Sequence, residues 1–274
     1  MCATCGCEGD GVAVITVGHQ DHEHPHDHGH HEHGPGHEHE HHHEHALTTL
    51  TLEQKVLAKN DELAAANRAR LRERGILALN MTSSPGAGKT TLIERTIREF
   101  DSVPVAVIEG DQETVLDAQR IEATGCKVVQ VNTGAGCHLD ADMMRRALDA
   151  LDPGPGSLLF VENVGNLVCP ALFDLGEAGK VVIISVTEGT DKPLKYPHMF
   201  AAAELVLINK TDLLPYVDFD SARCVEYAQS VNPGVKILPV SATTGDGLAL
   251  WYDWLSARLT VGIPNTLKAV GSQT

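Results

Sequence analysis

The chain has 274 residues, with 21 Lys or Arg against 37 Asp or Glu and a formal net charge of −16 at pH 7. Nine of those acids and none of the bases fall in the first 45 residues, so the acidity is concentrated at the N-terminus. A chain with no basic stripe is a poor partner for nucleic acid or anionic membrane surfaces. No apolar run of about 18 residues and no signal-like start point to a spanning or exported segment. The expected location is therefore cytoplasmic, where the seven Cys are read as thiols or metal ligands rather than disulfides.

The N-terminus opens on a Cys2-x-x-Cys5-x-Cys7 cluster within a Cys-rich segment, 1–18, followed over 19–46 by a tract in which His alternates with Asp, Glu, Gly and Pro. Such density of sulfur and nitrogen donors points to metal handling. Imidazoles with a pKa near ~6.5 are mostly neutral at cytosolic pH and free to coordinate. The tract has almost no apolar surface to offset chain entropy, so a disordered metal-binding tail is expected. The cysteine spacing is tighter than a ferredoxin run, which disfavours an iron–sulfur cluster.

Residues 47–75 read as a lead-in helix, with Thr51 to Gln54 as a capping box and Gly75 as its stop. From 76 to 262 short apolar runs alternate with amphipathic stretches. Strands are expected at 76–81, 103–108, 127–131, 158–161, 181–186, 205–208 and 235–240, with helices near 90–100, 114–124, 139–151 and 248–259. The alternation predicts an α/β fold, a doubly wound, mostly parallel sheet with helices on both faces and the site at the strands' C-terminal ends, and the phosphate loop that follows the first strand makes it one of the P-loop NTPase kind. Residues 263–274 form a C-terminal tail.

The first of these strands ends in Ser83-Ser84-Pro85-Gly86-Ala87-Gly88-Lys89-Thr90-Thr91, a phosphate loop with Ser in its usual first glycine position. Gly86, Ala87 and Gly88 bring backbone N–H groups to phosphate oxygens. Lys89 reaches the β and γ phosphates, and Thr90, with Thr91 beside it, opens the helix and can ligate magnesium. Asn209-Lys210-Thr211-Asp212 selects the base. The Asp212 carboxylate accepts from both guanine N–H groups, Asn209 braces the loop, Lys210 covers the ring and Ser241-Ala242 brings backbone to the guanine oxygen, so GTP/GDP is the expected nucleotide. Asp111 and Glu162 are expected to face Mg2+. Glu162 replaces the usual Asp of a D-x-x-G switch, and its contact is either direct or through water. Lys89, Asp111 and Glu162 are the expected catalytic groups, and no glutamine is placed to orient the attacking water, so unaided hydrolysis should be slow.

Together the Cys2-x-x-Cys5-Gly-Cys7 start, the His-rich tract, SSPGAGKTT, EGDQET, Cys137-His138, ENVGNLVCP and NKTD resemble the HypB family of hydrogenase nickel-incorporation GTPases over essentially the whole chain. The resemblance implies a SIMIBI-class GTPase that forms a nucleotide-dependent homodimer and binds nickel. It further implies loading of the [NiFe] hydrogenase large subunit precursor together with a HypA-like zinc protein. It assigns Cys2, Cys5 and Cys7 to a nickel site, and Cys137, His138 and Cys169 to a second site for Ni2+ or Zn2+ beside elements that move with the nucleotide. By contrast Cys126 and Cys224 read as ordinary core or helix residues, and His198 as part of a loop. The rival readings are another SIMIBI metallochaperone, of the urease or cobalamin type, and a passive metal store.

Overall fold

The structure is a computed structural model that describes residues 13–16, 42–111, 116–134 and 136–262. In chain order the strands are β1 (Ala13–Thr16), β2 (Leu77–Ser83), β3 (Val105–Asp111), β4 (Lys127–Asn132), β5 (Leu158–Glu162), β6 (Gly179–Ser185), β7 (Ala203–Asn209) and β8 (Lys236–Pro239). The helices are α1 (His42–Glu73), α2 (Lys89–Glu99), α3 (Leu116–Glu122), α4 (Ala141–Leu151), α5 (Lys192–Lys195), α6 (Pro197–Ala202), α7 (Ser221–Val231) and α8 (Leu248–Gly262). Short 3-10 turns occupy Cys169–Ala171 and Thr211–Tyr216.

The strands form one sheet in the order β1-β4-β3-β5-β2-β6-β7-β8. Every ladder among the described residues is parallel, which sharpens the "mostly parallel" expectation. Side chains alternate across the pleat. On β2, Leu77, Leu79 and Met81 pack beneath α2 and α8 with Phe160 and Trp251, while Ala78 faces the opposite layer with Ile108, Val161, Met144 and Leu148 under α1 and α4. Beyond β2, Val182 and Ile184 of β6 build a third cluster with Met199, Phe200 and Cys224 from α6 and α7. Both faces of the sheet are therefore covered, as a parallel sheet requires.

Several sequence expectations need correction. The segment 1–18 contains β1, which pairs with the edge of β4 from Ala13 opposite Val129 to Thr16 opposite Asn132. Its β-branched Val-Ile-Thr run cannot make a sheet alone, but it can extend an existing one. The first helix begins at His42, so Thr51 lies inside α1 rather than at its start. An N-cap needs non-helical backbone, and the backbone at Thr51 is already helical. His198 sits on α6 rather than in a loop, and α5, α6 and α7 were not expected. Cys2, Cys5, Cys7, nearly all of the His-rich tract and the tail 263–274 lie outside the described residues.

Helix α1 is fastened by two buried asparagines. Asn67 donates to the carbonyls of Ala141 (2.8 Å) and Leu175 (3.0 Å). Asn60 donates to Asp174 O (2.8 Å) and accepts from Ala141 N (2.9 Å). Gly176 allows this close approach, because with φ +89° and the Ala64 carbonyl 2.5 Å from where a Cβ would sit, no side chain fits. Replacing Asn67 with Ala leaves two carbonyls without their donor, and should lower stability by about 1–3 kcal/mol at unchanged m-value in urea unfolding. A loss below about 0.5 kcal/mol would show that α1 is held by apolar packing alone.

Candidate functional site

The phosphate loop leaves the C-terminal end of β2, which lies at the centre of the sheet, and turns into α2. Gly86 (φ +72°) and Gly88 (φ +100°) hold left-handed backbone that only glycine adopts readily. Gly88 has a second constraint, since a Cβ there would lie 2.5 Å from Asn209 Nδ2. Asn209 is buried at the end of β7, donates to Ala87 O (2.9 Å) and accepts from Ala242 N (3.0 Å). One amide thus ties the phosphate loop to the loop after β8. Lys210, left-handed at φ +62°, donates to Gly86 O (2.7 Å), and Asp212 accepts from Ser241 Oγ (2.5 Å). The residues expected to read phosphate and base therefore meet along one rim.

Within the loop Lys89 Nζ donates to Ser83 Oγ (3.0 Å), which gives the serine at the usual glycine position a hydrogen-bonding partner. Thr90 Oγ1 donates to Glu162 Oε1 (2.6 Å), and Thr91 Oγ1 accepts from Arg120 (3.1 Å). A cleft of about 490 Å³ opens here, lined by Gly86, Lys89, Thr90, Asp111, Glu162 and Lys210. A second cavity of about 450 Å³ lies at the start of β2 beneath α1. Two of its arginines are already paired, Arg68 with Asp174 and Arg258 with Glu204, and it contains no phosphate loop.

The acids of the cleft sit on facing strand ends. Glu162 closes β5, and Glu109 is its register partner on β3, two residues before Asp111 and on the same face. Burial raises the Glu162 carboxyl above the usual range, against the opposing pull of Lys89 and Thr90. Burial, then Glu162 and Asp111, push Glu109 up to about 9. Of the acidic strand end Glu109-Gly110-Asp111, only Asp111 was expected from the sequence to face the metal. Strand parity was the available signal, since Asp111 and Glu109 must share a face. Residues 112–115, the rest of the EGDQET motif, lie outside the described residues.

A separate sulfur–nitrogen cluster lies next to this end of the sheet. Cys137 and His138 precede α4, and Cys169 begins the 3-10 turn after β5. Their ligand atoms all lie within 4.8 Å of one another, with Cys137 Sγ 2.9 Å from Cys169 Sγ and 3.6 Å from His138 Nδ1. The His138 ring packs at a tilt against Phe173 with centroids 4.0 Å apart, and burial lowers its pKa against the opposing pull of Asp140, which favours the neutral, ligating form. The Cys137 thiol is raised, chiefly by its hydrogen bond with Cys169. Two thiols and an imidazole suit a borderline-soft dication and leave room for a further ligand. Cys126 and Cys224 stand apart, their thiols pushed up to about 11 by burial.

The two sites share a segment. Asn163, the residue after Glu162, accepts from Leu139 N (3.1 Å) and donates to Asn80 Oδ1 (3.2 Å), and Asn166 donates to Cys137 O (3.3 Å). Residues 162–169 thus run from the phosphate loop's threonine to the second cysteine of the cluster.

Residues 77–239 match the nucleotide-binding domain family described as CobW/HypB/UreG. The chain is 58% identical over 210 residues to the hydrogenase maturation factor HypB of Escherichia coli, covering 76% of this chain and 72% of that one. It belongs to the HypB group of the CobW/HypB/UreG family. Azotobacter vinelandii HypB is 55% identical over 225 residues, 82% of this chain and 74% of its own. Solved HypB structures agree. That from Archaeoglobus fulgidus is 41% identical with a TM-score of 0.69, over 74% of this chain and 99% of the other. That from Helicobacter pylori, in complex with nickel, is 37% identical with a TM-score of 0.70, over 76% and 98%. Family and fold together make the chain a SIMIBI-class P-loop GTPase. No described helix is long and apolar enough to cross a membrane.

Metal binding at Cys137, His138 and Cys169 must displace thiol protons, so its apparent affinity should fall as pH drops from about 8 to about 6. Zinc titration of the Cys137→Ser and Cys169→Ser variants should show this pH-dependent component missing. A parent-like titration in both variants would remove the cluster as a metal site.

Proposed function

We propose that the chain is a GTP-hydrolysing nickel metallochaperone, which binds and stores nickel and delivers it to the [NiFe] hydrogenase large subunit precursor. It would act as a nucleotide-dependent homodimer with a HypA-like zinc protein. The observation that carries this reading is the 162–169 segment, which joins the Thr90–Glu162 hydrogen bond at one end to the Cys137–Cys169 pair at the other. The relationship to HypB chains, one of them solved with nickel, supports the choice of metal.

The donor chemistry of the cleft fits magnesium, because the Glu162 carboxyl keeps a buried oxygen without a partner beside a hydroxyl and a second acid. Thr90, Asp111 and Glu162 would hold the ion. When bound, magnesium neutralises charge on the β and γ phosphate oxygens. Lys89 leaves Ser83 to cover the same oxygens, while Asn209 and Lys210 keep the loop and base rim fixed. Asp212 accepts from the guanine N–H groups, and with no glutamine to orient water the hydrolysis is slow.

Nickel is cargo. The γ phosphate draws Thr90 away from Glu162, residues 162–169 shift, and the spacing of Cys169 to Cys137 and His138 changes with it. Ligand spacing sets affinity, so hydrolysis becomes release. Couplings of this kind are typically about 1–3 kcal/mol, or about 5- to 150-fold in affinity. The same sulfur–nitrogen set accepts zinc.

The test is nickel titration of a full-length Cys2/Cys5/Cys7→Ser chain with GDP and with a non-hydrolysable GTP analogue. Thiolate-to-nickel charge-transfer absorbance would be followed, which the imidazole tract does not contribute. The expected result is an affinity difference of at least about fivefold, and identical curves would leave only passive storage. Lys89→Ala should abolish GTP turnover while leaving this absorbance in place. Asp212→Asn should weaken GDP by at least about tenfold and admit xanthosine diphosphate, whose ring presents an acceptor where guanine presents an amine.

A further inference from the structure

Glu109 has no role in the site as described so far. It is buried, 3% exposed, and faces Glu162, also 3% exposed, across the β3–β5 ladder. In each of the two residues Oε2 is buried without a hydrogen-bond partner among the described residues. Buried polar atoms in folded proteins almost always have a partner. Two orphaned carboxyl oxygens side by side therefore indicate a group that completes them.

Charge and geometry identify that group. Glu109 and Glu162 share one end of one sheet face, and the two cations that act on Glu162 are engaged elsewhere, Lys89 with Ser83 and Arg120 with Glu94 and Asp117. Two neighbouring buried acids therefore call for a further positive charge. Asp111 and Glu162 line the open cleft, and Glu109 does not. A direct ligand has to reach the cleft, whereas an acid behind its wall is reached by a bound water. Magnesium sheds its waters reluctantly and keeps several of them, and each such water is a polarised donor in search of an acceptor.

We propose that Glu109 is a positioning residue for the nucleotide's divalent cation, its Oε2 accepting a hydrogen bond from a cation-bound water. This inference rests on the reading of the cleft as a guanine-nucleotide site with magnesium. Glu109 makes the site's grip on nucleotide depend on the ion without itself touching nucleotide.

The test uses the full-length chain and Glu109→Gln, which keeps the side chain's shape and removes its ability to ionise when a cation arrives. Binding of methylanthraniloyl-GDP is measured by fluorescence in EDTA and across a series of free Mg2+ concentrations, and Mn2+ bound to the protein–GDP complex is measured by EPR. For the variant, the Mg2+ concentration giving half-maximal tightening should rise by about tenfold, with Mn2+ weakened to match. Affinity in EDTA should stay within about twofold of the parent's, because no nucleotide contact is lost. An unchanged Mg2+ midpoint would make Glu109 a buried structural acid only. An equal loss of affinity with and without the ion would also overturn the proposal, as it would report a damaged pocket. Failure of the parent chain to bind GDP would instead overturn the guanine-nucleotide reading itself.

Discussion

The hydrogen bond from Thr90 to the buried carboxylate of Glu162 is the contact on which the remainder of the site depends. A carboxyl group removed from water at the end of a central strand is costly unless it has a donor and a counter-charge, and Thr90 and Lys89 provide these. Both partners belong to the phosphate loop. Whatever occupies that loop competes for the same hydroxyl and the same ammonium, so the environment of Glu162 cannot stay constant when phosphate and cation arrive. The chain that continues from Glu162 reaches Cys169 within seven residues, so a ligand seated in that loop would lie one short segment away from the thiols.

Buried asparagines make that segment firm. Each amide offers a donor and an acceptor on one short, neutral side chain, and can join two backbone segments without burying a charge. Asn209 joins the phosphate loop to the β8 exit, Asn163 joins the end of β5 to the loop carrying Cys137, and Asn60 and Asn67 lock α1 onto α4. Asn80 continues the network inward, from Asn163 to Glu177. Packed amides with two discrete partners move as units or not at all, which is the property a switch requires.

Much of this was legible from residue order. The alternation of strands and helices was placed correctly, and residues 83–91 and 209–212 follow the ends of β2 and β7 as expected, because each is written in consecutive residues. Strand ends differed from expectation by up to about three residues, as hydrophobic runs mark the buried middle of a strand better than its polar ends. The short strand β1 was obscured by the metal-binding character of its neighbours, and the start of α1 by a capping pattern that falls inside the helix. Glu109 was passed over because its importance lies in its cross-strand neighbour, Glu162, which is 53 residues away.

Local motifs, then, were legible in the sequence: a phosphate cradle is written as glycines followed by a lysine and a helix start, and a guanine reader as an acid after a strand, each within a few bonds. The closeness of Cys137 to Cys169, the pairing of Glu109 with Glu162 and the segment joining them were decided only by the parallel register of β3, β4 and β5. Hydrogen bonding between strands sets that register, and it brings together side chains that no spacing along the chain connects.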